Sequence, residues 1–447
     1  MKKNSAAFFA LLCCLLAASG TVIAENPFIT DQFTADPTAR VFNGKVYVYP
    51  SHDILAKEGM GRPGWFCMED YHVFSSANLT DWTDHGVIVT QTKVDWVDAS
   101  TYSMWAPDCI EKNGKYYFYF PAGVKKEYGR GSGVGVAIAE KPEGPYIPQP
   151  APIKNLHGID PNIFIDKDGQ AYIYWAMGNI SGAKLTDDLL ELASEPQIIA
   201  EMPKEGLKEG PFLFERNGIY YMTYPHVQNK IERLEYAIGD NPMGPFKFTG
   251  VIMDESPTNC WTNHQSIVEY NQQWYLFYHH NDISPQFDKN RSIRVDSLFF
   301  NADGTIKKVT PTLRGVGLMA ATKKLQLDRY TAISGEGASI AFLDTLDKHQ
   351  GWQAIMDKPG AWFRYNSVDF GKKKLKKVTV NALSAAGGVI EIRIDKLDGP
   401  VIAVVTIPKH TGWTEVTAKV SKKTTGVHNL FAVSKDKPVA IDWLSFE

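Results

Sequence analysis

Only five cysteines occur in the 447 residues, and two of them, Cys13 and Cys14, fall within the first 24. The remaining three, Cys67, Cys109 and Cys260, have no CxxC spacing, which argues against a disulfide framework or a zinc ribbon and leaves them as small buried hydrophobes. Beyond residue 24 no stretch is apolar enough to span a bilayer. No segment there keeps a helical period, and neither a nucleophile elbow nor a phosphate-binding glycine loop is present. Charge of one sign is not in large excess either: 47 Lys and Arg face 50 Asp and Glu, which argues against nucleic acid as a partner.

The N-terminus carries Lys2 and Lys3, an apolar run from Ala6 to Ala18, and Val22-Ile23-Ala24 in the manner of a signal peptidase site. Residues 1–24 are therefore expected to be a cleaved signal peptide, and the mature protein to be secreted or periplasmic.

Aromatic and turn-forming residues are plentiful (23 Phe, 20 Tyr and 11 Trp beside 36 Gly and 25 Pro), a mixture that favours β structure. Five segments share one pattern of hydrophobic strand, Asn-Gly-like turn and Tyr-rich strand: ADPTARVFNGKVYVY, WAPDCIEKNGKYYFYF, IDPNIFIDKDGQAYIYW, KEGPFLFERNGIYYMTY and NHQSIVEYNQQWYLFYH. Anchored on Asp36, Ala106, Asp160, Glu209 and His264, they recur at steps of 70, 54, 49 and 55 residues. Such a repeat predicts an all-β fold, a five-bladed β-propeller over residues 25–320. The long first step places an insertion at 54–70, bearing Trp65 and Phe66, which reads as a rim loop.

First strands of propeller blades line the central channel, so Asp36, Asp160, Glu209 and His264 should converge at its mouth. Asp108 is read as structural. Three crowded carboxylates repel one another and separate their pKa values, which is how acid and base roles arise. Carboxylates with aromatics and no other nucleophile point to glycosidic hydrolysis, with one acid protonating the leaving oxygen and one base activating water.

The segments ADPTARVF, SMWAPD, GIDPNIF, KEGPFLF and NHQSIV resemble the signatures of glycoside hydrolase family 43, an inverting five-bladed propeller family. That resemblance implies Asp36 as general base, Glu209 as general acid and Asp160 as the residue that tunes the acid's pKa. It also implies Trp105, Arg291, His264 and Asp53 around the sugar, His264 beside a channel calcium ion, and α-L-arabinofuranosidase or β-xylosidase activity on plant polysaccharide. No cofactor is implied for the chemistry itself.

Residues 321–447 hold 19 Lys and Arg against 13 Asp and Glu, whereas residues 25–320 hold 26 against 37, so a domain boundary is expected near 320. Alternating runs such as KVTVNA, GVIEIRID and VIAVVTI predict a β-sandwich, with Lys372 to Lys377 on a solvated strand edge. WFRYNSVDFG, HTGWTEVTA and AIDWLSF resemble carbohydrate-binding module family 6. This likeness implies Trp362 and Trp413 as sugar contacts and Asp442 and Asp328 at a structural calcium. Ala440 stands where that family usually has asparagine.

Overall fold

The computed structural model describes residues 25–447, so the expected signal peptide at 1–24 lies outside the described residues. The helical elements among these residues are short 3₁₀ turns, and no helix is long and apolar enough to cross a membrane.

Residues 33–298 form five antiparallel sheets that follow one another along the chain. The first comprises Phe33–Phe42, Lys45–Asp53, Asp70–Ser76 and Thr83–Thr90, and each of the others likewise contains one of the repeated hairpins. The turn chemistry explains why these hairpins form. Asn43-Gly44, Asn113-Gly114 and Asn217-Gly218 all have positive φ at both residues, the left-handed pair that a tight two-residue hairpin requires. Asn271-Gln272 does the same without glycine, at φ 50° and 65°.

Side-chain hydrogen bonds tie the first strands together in chain order. Thr38 Oγ1 donates to the Pro107 carbonyl, and Arg40 pairs with Asp108 at 2.6 Å. Asp108 in turn accepts from Asn162 Nδ2 and Ile163 N, Asn162 accepts from Leu213 N, and Gln265 donates to the Gly210 carbonyl. Ser266 then donates to the Pro37 carbonyl and accepts from Ala39 N, which links the fifth sheet back to the first. Asp108, with no exposed surface, is a structural bracket as read from the sequence.

The fifth sheet has three strands, Ser266–Tyr270, Gln273–His280 and Ser292–Leu298. Residues 26–28 lie along the last of them. Asn26, itself fully buried, accepts from Val295 N and donates to Val295 O, Thr312 O and Asp296.

The C-terminal part consists of two six-stranded sheets whose inner faces enclose one hydrophobic core, from Met319 to Phe446. Alternation of buried and half-buried residues along Lys377–Ser384 and Trp352–Met356 is the two-sided pattern of a sandwich. Met319 and Ala321 already belong to this core, and Met319–Ala320 pairs in parallel with Trp362–Asp369. The lysine run departs from expectation: residues 372–376 form an exposed loop, and the strand Lys377–Ser384 is paired on both sides. It is no sheet edge, because its neighbours His410–Lys419 and Val439–Phe446 supply both ladders. The two parts meet where Arg329 Nη1 donates to the Asn26 carbonyl, Tyr365 donates to Glu25, and Arg314 Nε donates to the Asn366 carbonyl.

Asn26→Ala strands several buried backbone and carboxylate groups, each costing about 1–3 kcal/mol when left unpaired. A lowered urea midpoint for unfolding of the mature protein is the expected outcome.

Candidate active site

Two of the three carboxylates reach the pocket through the same backbone device. Asp36 and Asp160 both have left-handed backbones, with φ of 47° and 57°, and each precedes a proline. In both hairpins two residues oppose one on the partner strand: the pairing jumps from Ala35–Ser51 to Thr38–Tyr49, and from Ile159–Ala176 to Asn162–Tyr174. Such a bulge re-aims a side chain that a regular ladder would fix, and left-handed non-glycine residues are retained where the surroundings impose them. Glu209 stands between the short strand Leu207–Lys208 and Phe212–Arg216, before Gly210 at φ 50°. A cavity of about 170 Å³ is lined by Asp36, Asp160, Glu209, Trp105, His264 and Arg291 together with Trp65, Phe66 and Trp261.

Asp36 is the ionised member. Its Oδ1 accepts from Arg291 Nη1 at 2.7 Å and its Oδ2 from Ser51 Oγ at 2.7 Å. Burial pushes its pKa up, but Arg291 together with His279, His264 and Ser51 outweighs that and holds it at about 2. Both histidines are neutral near pH 7, since burial lowers His264 to about 4 and carries His279 well below its usual range. The cation that counts there is therefore Arg291. His279 Nδ1 accepts the Asp36 N–H at 3.1 Å and its Nε2 faces the Thr262 carbonyl at 3.0 Å, which fixes the Nε2–H tautomer.

The other two carboxylates are pushed the opposite way. Burial, then repulsion by Glu209 and Asp36, raises Asp160 well above the usual range. Glu209 is raised by burial and by Asp36, while a hydrogen bond from Glu232 and the charge of Arg291 pull it down. Glu232 is wholly buried and is itself raised, first by burial and then by the charge of Glu209. Asp160 Oδ2 accepts from Gly210 N at 3.0 Å, which couples it to the backbone beside Glu209.

The structure thus gathers Asp36, Asp160, Glu209, His264, Trp105 and Arg291 at one pocket, and departs from the sequence expectation at Asp53. That residue is 1% exposed, and both its oxygens accept from Arg291, at 2.9 Å each from Nε and Nη2. It positions the guanidinium and does not face a sugar. Arg291, with its donors committed to Asp36 and Asp53 and its guanidinium 4.6 Å over Phe66, is first of all a charge for Asp36. The 54–70 insertion does wall the pocket, through Trp65, Phe66 and Met68, and Trp261 stacks on Phe66 at 6.1 Å. Ser51, Glu232, His279 and Trp261 escaped the sequence reading. Ser51 and His279 lie inside the repeated strands and Trp261 just ahead of NHQSIV, but only folding shows what each faces.

Metal ligation at the expected positions is uneven. His264 offers one imidazole beside Arg291, a donor set that does not fit calcium, which takes six to eight oxygens. Asp328 is buried, pairs with Arg329 at 3.1 Å and has an unpartnered Oδ1, with Asp442 near enough to help raise its pKa to about 7, chiefly through burial. Trp362 packs on Phe431 in one sheet of the sandwich, and Trp413 lies in the other.

Comparison with known proteins agrees with this geometry. Residues 24–306 match the family model described as glycosyl hydrolases family 43, and residues 332–447 that of carbohydrate binding module family 6. Xylosidase/arabinosidase 43A of Humicola insolens is 38% identical over 64% of this chain and 99% of its own. Arabinoxylan arabinofuranohydrolase of Bacillus subtilis strain 168 is 29% identical over 95% of this chain and 93% of its own. A solved β-xylosidase/α-arabinofuranosidase from a compost metagenome, in a calcium-free form with xylotriose, superposes with TM-score 0.57 at 34% identity, over 66% of this chain and 97% of that one.

Ser51→Ala removes a donor to the charged form of Asp36. The Asp36 titration should then rise by about one pH unit, followed by the ¹³C carboxyl shift in NMR.

Proposed function

The chain belongs to the glycosyl hydrolases of family 43, and from that premise we propose that this glycosidase is inverting and exo-acting, releasing L-arabinofuranose or D-xylose from arabinoxylan or a related plant polysaccharide. The observation that carries the reading is the opposed protonation of the site: Asp36 ionised, Glu209 raised toward its acid form. In this mechanism Asp36 takes the proton of a water that attacks the anomeric carbon, and Glu209 gives a proton to the departing glycosidic oxygen. Asp160, which accepts from Gly210 N beside Glu209, is the pKa modulator in this reading: the two carboxylates repel when both are ionised, which favours the acid form of one of them. Trp105, Trp65, Phe66 and Trp261 supply apolar ring faces that suit a sugar. With one mouth walled by the 54–69 loop, the pocket suits a chain end, which favours exo action.

The five linked sheets are the blades of a five-bladed propeller in this reading, with residues 25–320 as catalytic domain and 321–447 as carbohydrate-binding domain. Trp362 and Trp413 are its proposed sugar contacts, and Asp328 and Asp442 hold a structural calcium. The protein works outside the cytoplasm after loss of residues 1–24. α-L-Arabinofuranosidase is the favoured activity, because the arabinoxylan arabinofuranohydrolase of B. subtilis aligns along nearly the whole chain. β-Xylosidase is the second reading, favoured by the β-xylosidase of Xylanibacter ruminicola at 35% identity over 64% of this chain.

Nitrophenyl arabinofuranoside and nitrophenyl xyloside assayed side by side separate the two. Asp36→Ala and Glu209→Ala, each with an unchanged circular dichroism spectrum, should lose about 10²–10⁴-fold in kcat/KM. Proton NMR of the first product formed should show the inverted anomer. Full activity in either variant, or a ladder of oligosaccharide products from arabinoxylan, contradicts the reading.

A further inference from the structure

The 54–69 loop that walls the pocket is fastened at its two feet by residues the catalytic chemistry does not use. His52 is the last residue but one of the strand before the loop, and Asp70 is the first residue of the strand after it. Ser51 pairs with Tyr71, so His52 and Asp70 face each other on the side of the sheet opposite Ser51 and Asp53. His52 Nδ1 and Asp70 Oδ1 lie 2.6 Å apart. His72, two residues further along the same strand, projects to the same face as Asp70, and its ring centroid is 4.9 Å from that of His52. Among the described residues this is the one group of three His, Cys, Asp or Glu side chains whose ligand atoms all come within 4.8 Å of one another.

A second observation concerns the surroundings of His72. Its Nδ1 lies 3.1 Å from both oxygens of Asp84, and that carboxylate is itself held by Gly86 N at 2.7 Å and by Gln32 Nε2 at 3.1 Å. A carboxylate that fixes one imidazole nitrogen orients the ring and leaves the other nitrogen basic and free, as around metal-binding histidines. All three side chains are partly exposed, so an ion has access from solvent: His52 is 19% exposed, Asp70 15% and His72 15%.

We propose that His52, Asp70 and His72 bind a divalent transition-metal ion of the zinc type, clamping the two feet of the pocket-walling loop. Two imidazoles and one carboxylate make a nitrogen-rich, borderline set that suits zinc, nickel, cobalt or copper and not calcium or magnesium. Three protein ligands leave a fourth position for water, as in an open tetrahedral site. The consequence is mechanical. The loop contributes Trp65, Phe66 and Met68 to the pocket and is tied by backbone hydrogen bonds from Ile54 to Cys67 and from Met68 to Tyr102, whereas residues 55–59 are exposed. A metal bridging His52 to Asp70 and His72 joins the strands on either side of the loop and restricts its opening.

The test uses tag-free mature protein, stripped with a chelator and titrated calorimetrically with zinc chloride. One equivalent should bind, His72→Ala and Asp70→Asn should each weaken binding by at least about tenfold, and Asp84→Asn by about 10–100-fold. Cobalt added to the unmutated protein should give visible d–d absorption, a readout that needs no variant to fold. Zinc should also slow tryptic cleavage after Lys57 in the loop, relative to cleavage after Lys373 in the exposed C-terminal loop, in the unmutated protein and not in His72→Ala. Failure of the unmutated protein to bind zinc, or binding as tight in the variants, overturns the site. Unchanged cleavage at Lys57 with zinc bound overturns the clamp.

Discussion

A guanidinium buried between two aspartates is the interaction on which the rest of the site depends. Arg291 enters from the beginning of the last strand of the fifth sheet, while Asp36 and Asp53 come from the first two strands of the first. Burying three charges is expensive unless each finds partners, and breaking one such pair costs about 3–5 kcal/mol. Here each nitrogen of the fork donates to a carboxylate, Nη1 also faces Thr262, and the backbone N–H of Arg291 adds a further bond to Asp53. The same contacts thus join the first sheet to the fifth and keep Asp36 ionised in a site where burial alone would raise its pKa.

From that fixed charge the rest of the electrostatics follows. Arg291 outweighs burial at Asp36, whereas at Asp160 burial and the charges of Glu209 and Asp36 prevail over it, and at Glu209 burial does. Glu232, with its Oε2 on Asn263 N, is raised by burial and by Glu209, and its hydrogen bond to Glu209 pulls that residue the other way. His264 and His279, kept neutral beside the guanidinium, contribute shape and one hydrogen bond to Asp36 N without adding charge. The site is therefore an arrangement around one cation in which chemically similar side chains differ in how burial, neighbouring charge and hydrogen bonds balance at each.

The C-terminal sandwich is fastened to the same region of the chain that completes the fifth sheet. Asn26 lies along Ser292–Leu298 through its side chain while its carbonyl accepts from Arg329, and the neighbouring Glu25 accepts from Tyr365. Arg329 also lies 4.3 Å over Trp352 and pairs with Asp328, so the acidic first part and the basic second part meet through a few buried, directional contacts. Their opposite net charges favour that meeting without specifying it.

The sequence alone determined the architecture's unit and its catalytic candidates, because both are encoded locally. A two-residue Asn-Gly turn selects a hairpin, alternation selects its face, and five recurrences place Asp36, Asp160 and Glu209 at equivalent strand starts. The bulges at the Asp-Pro steps, with their left-handed geometry, were not read from the sequence. What only the tertiary structure decided are the pairings across long sequence distance: Arg291 with Asp53 and Asp36, Glu232 with Glu209, His279 with the Asp36 backbone, Trp261 with Phe66. Asp53 shows the difference plainly. From the sequence it was an acid near a sugar, and in the fold it lies behind the arginine, since which oxygen meets which donor depends on how the fifth sheet closes on the first. Local codes write strands and turns, but charge partners are chosen by packing, and packing is known only once the whole chain has folded.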